Sequence, residues 1–444
     1  MILQRVANQL RLRIASCALA LVAALCCEMA QAAYFPTIVY DSSTTIGPGT
    51  IYRTASNASP KWQIRILEVD LTDKNIELTP VKSQNYPALE TVSSMANRVH
   101  AIAAVNAGYF DTGGTGGSYS VLKIDGVTVT NNVASRPPRS TFGIWDNHNS
   151  KVVGARINSS GVPSPLAEPD WSGVVDAIGG GPNLVTTGTV DVNENDEQTT
   201  SGSGSGINSD TAQPRTAVGW ISATRRVFFV TVDGRQPAWS TGMTCVDLAK
   251  LMIDLGCDRA INYDGGGSTE MWVNGAVVNQ PSDGSERPNA MCWAVIPSNY
   301  VDNTNAEFSV TGTWSASANA GYYNTNSLIH LGGGGGSAAT WRPDLLAAKY
   351  EVYAWWVAAG NRSTVAPYTV HHITGDTLIT MNQQLNGSQW NLLGTFDFNT
   401  GTSGYVRLTD SVSGTEYVSA DAVKFVKVGG FGTPARVATW VDYQ

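Results

Sequence analysis

Apolar residues recur through 62–71 (Ile64, Ile66, Leu67, Val69, Leu71) between polar ones, a spacing that predicts a half-buried strand. Residues 91–99 fit a short helix. They lead into Ala101-Ile-Ala-Ala-Val105, a continuous apolar run of the kind found in a strand buried on both faces. Further strand-like runs fall at 141–145, 151–157, 216–221 and 227–232. The clearest helix spans 244–255: Thr244 and Asp247 are spaced as a capping box, and Leu248, Leu251, Met252 and Leu255 form one apolar stripe. It stops at Gly256, where a left-handed terminus costs glycine little. A strand is expected at 259–263. After it, 271–278 reads as a hairpin, because Asn274-Gly275 suits a type I′ turn. Helices and strands mix without regular alternation, which predicts an α+β domain with a mixed β-sheet.

Near 298–307 the composition changes. Residues 308–428 are rich in Trp, Tyr, Thr and Gly in short alternating runs, predicting a separate all-β sandwich. Residues 191–208 are acidic and then Ser/Gly-rich, too polar to order themselves, and a mobile loop is expected there. Asp191, Asn193 and Asn195 begin like a calcium loop, but the glycine and distal glutamate that such a loop needs are missing.

The amino-terminal segment has a different character. Arg5, Arg11 and Arg13 precede an apolar stretch over 14–27, and Ala30-Gln31-Ala32 supplies small residues for cleavage, the pattern of a secretory signal peptide over 1–33. The mature chain then begins near Ala33 or Tyr34 and is secreted or periplasmic. No later segment is long and apolar enough to be a membrane helix. The formal charge is −8, more acidic still without the basic leader, which argues against nucleic acid or anionic membranes as partners. Outside the leader the cysteines are Cys245, Cys257 and Cys292; export favours one disulfide among them, with the pair unassigned. His100 and His148 lack the spacing of zinc ligands. The expected organisation is a catalytic domain over 34–300, a sandwich over 301–430 and a tail over 431–444.

Two polar segments directly follow predicted strands, where a sheet opens to solvent. One is Asn106-Ala-Gly-Tyr-Phe-Asp111; the other is Asp264-Gly-Gly-Gly-Ser268. Three glycines allow close approach to a ligand, and their amides are able to form an anion-binding nest. Taken alone, that run more often makes only a tight turn. Arg215-Thr216, Asp233-Gly-Arg235 and Arg287 also flank strand or helix ends, and arginines converging there suit a phosphate or oxyanion clamp. Ser268 is not in a G-x-S-x-G window, and no histidine follows it in this domain, which argues against a serine hydrolase. A phosphate-binding P-loop is absent. Carboxylate chemistry remains, with Asp111, Asp233 and Asp264 as candidates.

Several further runs stand in order with these: Gly179-Gly-Gly-Pro-Asn-Leu184, Arg215-Thr-Ala217, Gly242-Met243, Ile261-Asn-Tyr-Asp264, Pro281-Ser-Asp-Gly284 and Glu286-Arg-Pro288. Together they resemble the phosphodiester glycosidase family over roughly 60–297. The resemblance implies removal of a sugar such as N-acetylglucosamine from a sugar-1-phosphodiester. It implies a site in which Asp264, Asp233 and Asn106 are catalytic, while Arg215, Thr216, Arg235, Gly265, Gly266, Gly267, Ser268, Arg287 and Asp111 bind substrate. No metal and no cofactor is assigned, with calcium the one open addition. Ala107, Tyr263, Cys245 and Cys257 depart from the usual family residues, and these bear on packing.

The carboxy-terminal part, with Trp314, Gly321-Tyr-Tyr323, Trp341, Trp355-Trp356, Asn361-Arg362, His371-His372, Trp390 and Ala420-Asp-Ala422, resembles the golvesin or xanthan-lyase carboxy-terminal domain. That implies a jelly-roll-like sandwich, either glycan-binding or purely supporting. The expected partner is a glycan or glycophospho-conjugate. Two rivals stand beside the phosphodiester reading: an exopolysaccharide hydrolase or lyase acting without phosphate, and a non-catalytic surface glycan-binding protein.

Overall fold

The computed structural model describes residues 32–73, 75–145, 151–164 and 171–429. Nearly all of the expected leader, His148 and the tail over 431–444 lie outside the described residues. From Thr37 onward the chain forms one compact unit.

Strand dominates, and the α-helices among the described residues are Val92–Arg98 and Cys245–Asp254. Both start as their sequences require. Thr91 accepts the Ser94 N–H and Thr244 accepts the Asp247 N–H, each satisfying a donor that the first helical turn leaves without a partner. Beyond the second helix, Gly256 takes φ +88°, ending it as glycine allows.

Among the described residues the first domain is built on three sheets, and every strand pair in them is antiparallel. The largest has eight strands in the order Val39–Gly47, Thr50–Ala58, Lys61–Asp70, Arg226–Val232, Arg215–Ile221, Arg259–Asn262, Asn183–Thr186 and Thr189–Val190. A five-stranded sheet centres on Ala103–Asn106 and Met291–Ile296, and another on Asp176–Gly179 and Arg139–Ile144. The apolar run expected to be a central strand is one, fully buried between Met271–Val273 and Met291–Ile296. The hairpin after Met271 turns through Asn274 and Gly275, both at positive φ.

Aromatic packing ties the sheets together. Phe142 contacts Trp220 at 5.0 Å and Trp293 at 5.3 Å between ring centroids, and all three rings are buried. Trp293 Nε1 donates to the Tyr263 hydroxyl at 2.8 Å, so this buried indole has the partner it needs. Tyr263 thereby links the core to the residue that follows it, Asp264.

The second domain is all-β, with sheets of four, five and three strands. Its first strand, Ser298–Asp302, pairs with Ala422–Gly429. It meets the first domain at Glu77, which is 2% exposed and receives the Ser298 hydroxyl at 3.0 Å and Lys424 Nζ at 3.4 Å. Trp355 and Trp356 are both buried, their indole N–H groups donating to Gly321 O and Leu385 O, so neither presents a face for sugar stacking.

Two expectations are corrected. Cys245, Cys257 and Cys292 are all buried and free, placed as small apolar side chains rather than bridged. The segment 191–208 is not a free loop. Its Glu197 is wholly buried and accepts Ser140 N at 2.9 Å, Ser140 Oγ at 2.6 Å and Asn183 N at 2.9 Å. Arg215 holds the same segment from the other side. Its Nε donates to Met243 O, Nη1 to Ile207 O, and Nη2 to Asn208 O and Thr211 O. Local composition missed these because every anchor lies outside the loop or acts across it.

Glu197→Ala is expected to destabilise the protein by about 3 kcal/mol, since it strands three buried donors. Urea unfolding measures this, and limited proteolysis should cut within 191–211. A change below about 0.5 kcal/mol with unaltered proteolysis would show that the carboxylate is not the anchor.

Candidate active site

Strand register decides which residues share an edge. Arg215 stands opposite Val232, and Ala217 opposite Asn262. Residue 215 therefore enters the eight-stranded sheet where 233 and 264 leave it. In the neighbouring sheet Asn106 pairs with Cys292, and Val105 with Met271, which brings Asn106 and Glu270 to the adjoining edge.

A cleft of about 320 Å³ opens at this edge. Its walls include Asp264, Gly265, Gly266, Gly267, Arg215, Arg235 and Arg287, together with Tyr109 and Tyr119. Asp264 is half-buried, and burial pushes its carboxyl up to about 6, against hydrogen bonds from Ser268 and the Gly265 N–H and the charges of Arg287 and Arg235. A carboxyl in that range exchanges a proton near neutrality, as acid–base work requires.

The glycines serve close approach more than amide donation. A Cβ on Gly267 would lie 2.1 Å from both Arg287 Nη2 and Asp283 Oδ2, and Gly266 sits at φ +61° with Arg235 Nη2 3.0 Å from where its Cβ would be. The side-chain-free turn lets two guanidinium groups lie against the chain. Most of its amides are already engaged: Gly265 N–H on Asp264, Gly266 N–H on Pro214 O and Ser268 N–H on Gly265 O. The expected nest is therefore largely closed, and cationic side chains supply the positive charge instead. Arg287 pairs with Asp283 through Nε and Nη2 and reaches Ser268 Oγ at 3.4 Å. Exposed Arg235, at φ +59°, is steadied by Gln213 Oε1 at 2.8 Å.

Other expected site residues sit behind the wall. Asn106 is fully buried. Its Nδ2 donates to Asp264 O at 2.8 Å, and its Oδ1 accepts Thr216 Oγ1 at 2.7 Å and Glu270 N at 2.9 Å. Asp233 is 1% exposed and does not line the cleft; Trp239 Nε1, Gln280 N and Asn279 Nδ2 all donate to its carboxylate. Its pKa is raised by burial, which those three bonds oppose. Asp111 turns its carboxylate onto its own loop, accepting Thr115 N at 2.9 Å. Arg215 reaches the cleft with most of its N–H donors spent on backbone carbonyls.

Sequence reasoning missed Arg136 and Arg139 on the wall. The available signal was Arg136-Pro-Pro-Arg139, two cations immediately before a strand. Among the described residues, no group of three or more His, Cys, Asp or Glu is placed to hold a metal, and no helix is long and apolar enough to cross a membrane.

Two family models match successive parts of the chain. Residues 100–296 match the phosphodiester glycosidase family model and residues 299–427 the golvesin C-terminal domain model, so the chain joins one domain of each kind. It is similar to xanthan lyase of Bacillus sp. (strain GL1), 39% identical over 140 residues, covering 30% of this chain and 15% of that protein. It is similar to the SPbeta prophage-derived uncharacterized protein YomE of Bacillus subtilis (strain 168), 30% identical over 205 residues, or 45% of this chain and 28% of that protein. The chain thus spans less than a third of either relative. Among solved structures it resembles the catalytic domain of zebrafish N-acetylglucosamine-1-phosphodiester alpha-N-acetylglucosaminidase, auto-inhibited by pro-peptide. That likeness is 22% identical at a TM-score of 0.44, over 58% of this chain and 87% of the other.

Behind the cleft, Glu270 is 1% exposed and packs against Glu286, which accepts the Ser93 hydroxyl at 2.6 Å. Burial first, and then Glu286, push Glu270 up to about 9. A carboxyl raised on folding stabilises the fold while protonated, so its contribution is complete below pH 4.5 and lost as pH climbs towards 9. Glu270→Gln is expected to melt higher than wild type at pH 8.5, by an advantage growing at about 1 kcal/mol per pH unit and vanishing near pH 4.5. Calorimetry across pH tests it; an offset independent of pH would refute the raised Glu270 carboxyl.

Proposed function

We propose that this protein is an exported glycosidase that hydrolyses a sugar-1-phosphodiester, with Asp264 as its general base. The observation that carries the reading is the Asp264 carboxyl, raised to about 6 by burial, in a cleft lined by Arg235 and Arg287. A phosphodiester oxygen held by these guanidinium groups gains charge-assisted hydrogen bonds as the leaving group takes up negative charge. Water attacks C1, the C1–O bond breaks, and its electrons leave with the phosphomonoester. The proton from water passes to Asp264. A phosphomonoester is a weak enough base to depart without prior protonation, so one carboxylate in the cleft suffices. Asp233 and Asn106 are assigned positioning roles, Asp233 through its three donors and Asn106 through the Asp264 carbonyl. Export rests on the leader-like segment in the sequence.

A second reading is favoured by the golvesin-type domain and the xanthan lyase match: the same cleft opens a polysaccharide linkage that carries no phosphate.

Asp264→Asn is expected to reduce turnover of sugar-1-phosphodiesters by 10²–10⁴-fold, the usual worth of a general base, with melting temperature preserved. Wild-type kcat should rise with pH through about 6, because the base works ionised. Mass spectrometry identifies the products: free sugar with phosphomonoester supports the proposal, and phosphate-free or unsaturated oligosaccharides support the second reading. Full activity in the Asn variant would exclude the assignment.

A further inference from the structure

The cleft is strongly cationic in a protein whose formal charge is −8. Arg136, Arg139, Arg215, Arg235 and Arg287 line it, with Asp264 the one acidic side chain among the lining residues. A phosphodiester brings a single negative charge. Arg215 is largely engaged by backbone carbonyls, Arg287 pairs with Asp283, and Arg235 is steadied by Gln213. Of the five, Arg139 is the one with a buried nitrogen that has no hydrogen-bond partner.

Arg139 is 5% exposed, and its Nη1 is buried without a hydrogen-bond partner. Such a group is costly to leave unpaired. Glu197 lies nearby and lends charge through space, but its two oxygens are taken by Ser140 N, Ser140 Oγ and Asn183 N. Gly181 brings these charges near each other: a Cβ there would lie 2.2 Å from Glu197 Oε2 and 3.4 Å from Arg139 Cδ. Arg136 flanks the site, its guanidinium 5.9 Å from the Tyr119 ring, and adds like charge that disfavours the Arg139 cation. Two neighbouring cations, one of them buried and under-bonded, are relieved by an anion that accepts from the planar guanidinium.

We propose that Arg139, flanked by Arg136, is a second acid-recognition point of the cleft, so that the substrate is an acidic glycan bearing a carboxylate or phosphate ester apart from the linkage cleaved. This rests on the reading that the linkage is cleaved beside Asp264, and it adds the substrate class. The specificity follows from chemistry: an acid offers the Arg139 guanidinium a charged, bidentate acceptor, which a neutral sugar hydroxyl does not.

Calorimetric titration of the full chain with glucuronate, glucose 6-phosphate and glucose tests this without turnover. Wild type should bind at least one of the two acids about tenfold or more tighter than glucose, and which acid prefers the site separates carboxylate from phosphate ester. Arg139→Met should bring acid binding to within about threefold of glucose, and Arg136→Gln should weaken it partially. Because the Nη1 of Arg139 has no partner in the free protein, Arg139→Met should melt no lower than wild type. Undiminished acid binding in Arg139→Met, no acid preference in wild type, or a melting temperature lowered by more than about 5 °C would each overturn the proposal, the last by showing a structural arginine. Arg139-dependent acid binding without hydrolysis of any sugar-1-phosphodiester supports the subsite and counts against the reaction.

Discussion

The Asn106 carboxamide is the pin on which the candidate site depends. Fully buried, it donates to the Asp264 carbonyl and accepts from Thr216 and Glu270, joining strands of two sheets to the turn that carries the titrating carboxyl. Both ends of the amide are used, one as donor and one as acceptor. An aspartate of the same size would set a second acceptor against the Asp264 carbonyl and leave the pin repelling what it holds. The position of Asp264 therefore follows from a neutral side chain that does not itself line the cleft, and from the Tyr263–Trp293 bond that seats the preceding residue in the core.

Much of this architecture is legible in the chain because it is local. The capping pair Thr244–Asp247, the Asn274-Gly275 turn and the apolar run before Asn106 each have a short-range cause, and each element forms within a residue or two of where its pattern lies. The edge holding Asp264, Arg235 and Arg287 is legible too, since strand ends carry polar residues for a reason. What the pattern does not disclose is which polar side chains face the cleft. Asp233 looks equivalent to Asp264 in sequence, yet its carboxylate is occupied by Trp239, Asn279 and Gln280, the last two more than forty residues away. Residues 191–208 look like a solvated linker because Glu197, which orders them, finds its donors on two other strands. Arg139 was hidden for the converse reason: nothing in its neighbourhood along the chain reveals that its Nη1 has no partner.

The charge arrangement separates holding from binding. Arg215 is spent on shaping the wall, Arg287 is tethered by Asp283, and Arg235 leans over a glycine. Each is orientated before any ligand arrives, so little side-chain freedom is left to lose on binding. The glycine turn matters here as empty volume: any side chain on Gly267 would occupy the space of the Arg287–Asp283 pair.

The pairing of Ser298–Asp302 with Ala422–Gly429 has a temporal consequence. The first strand of the second domain emerges directly after the last long strand of the first, but its partner lies about 120 residues further along. Glu77, buried early in the chain, receives Lys424 from that late strand. During synthesis the first domain is thus completed before its seam is closed, with one acidic residue awaiting its cation and one strand edge uncovered. Non-local closure of this kind is slow relative to hairpin formation and leaves the edge open to pairing with other chains. The order of emergence makes the interval before the final strand arrives the most vulnerable moment in the life of this fold.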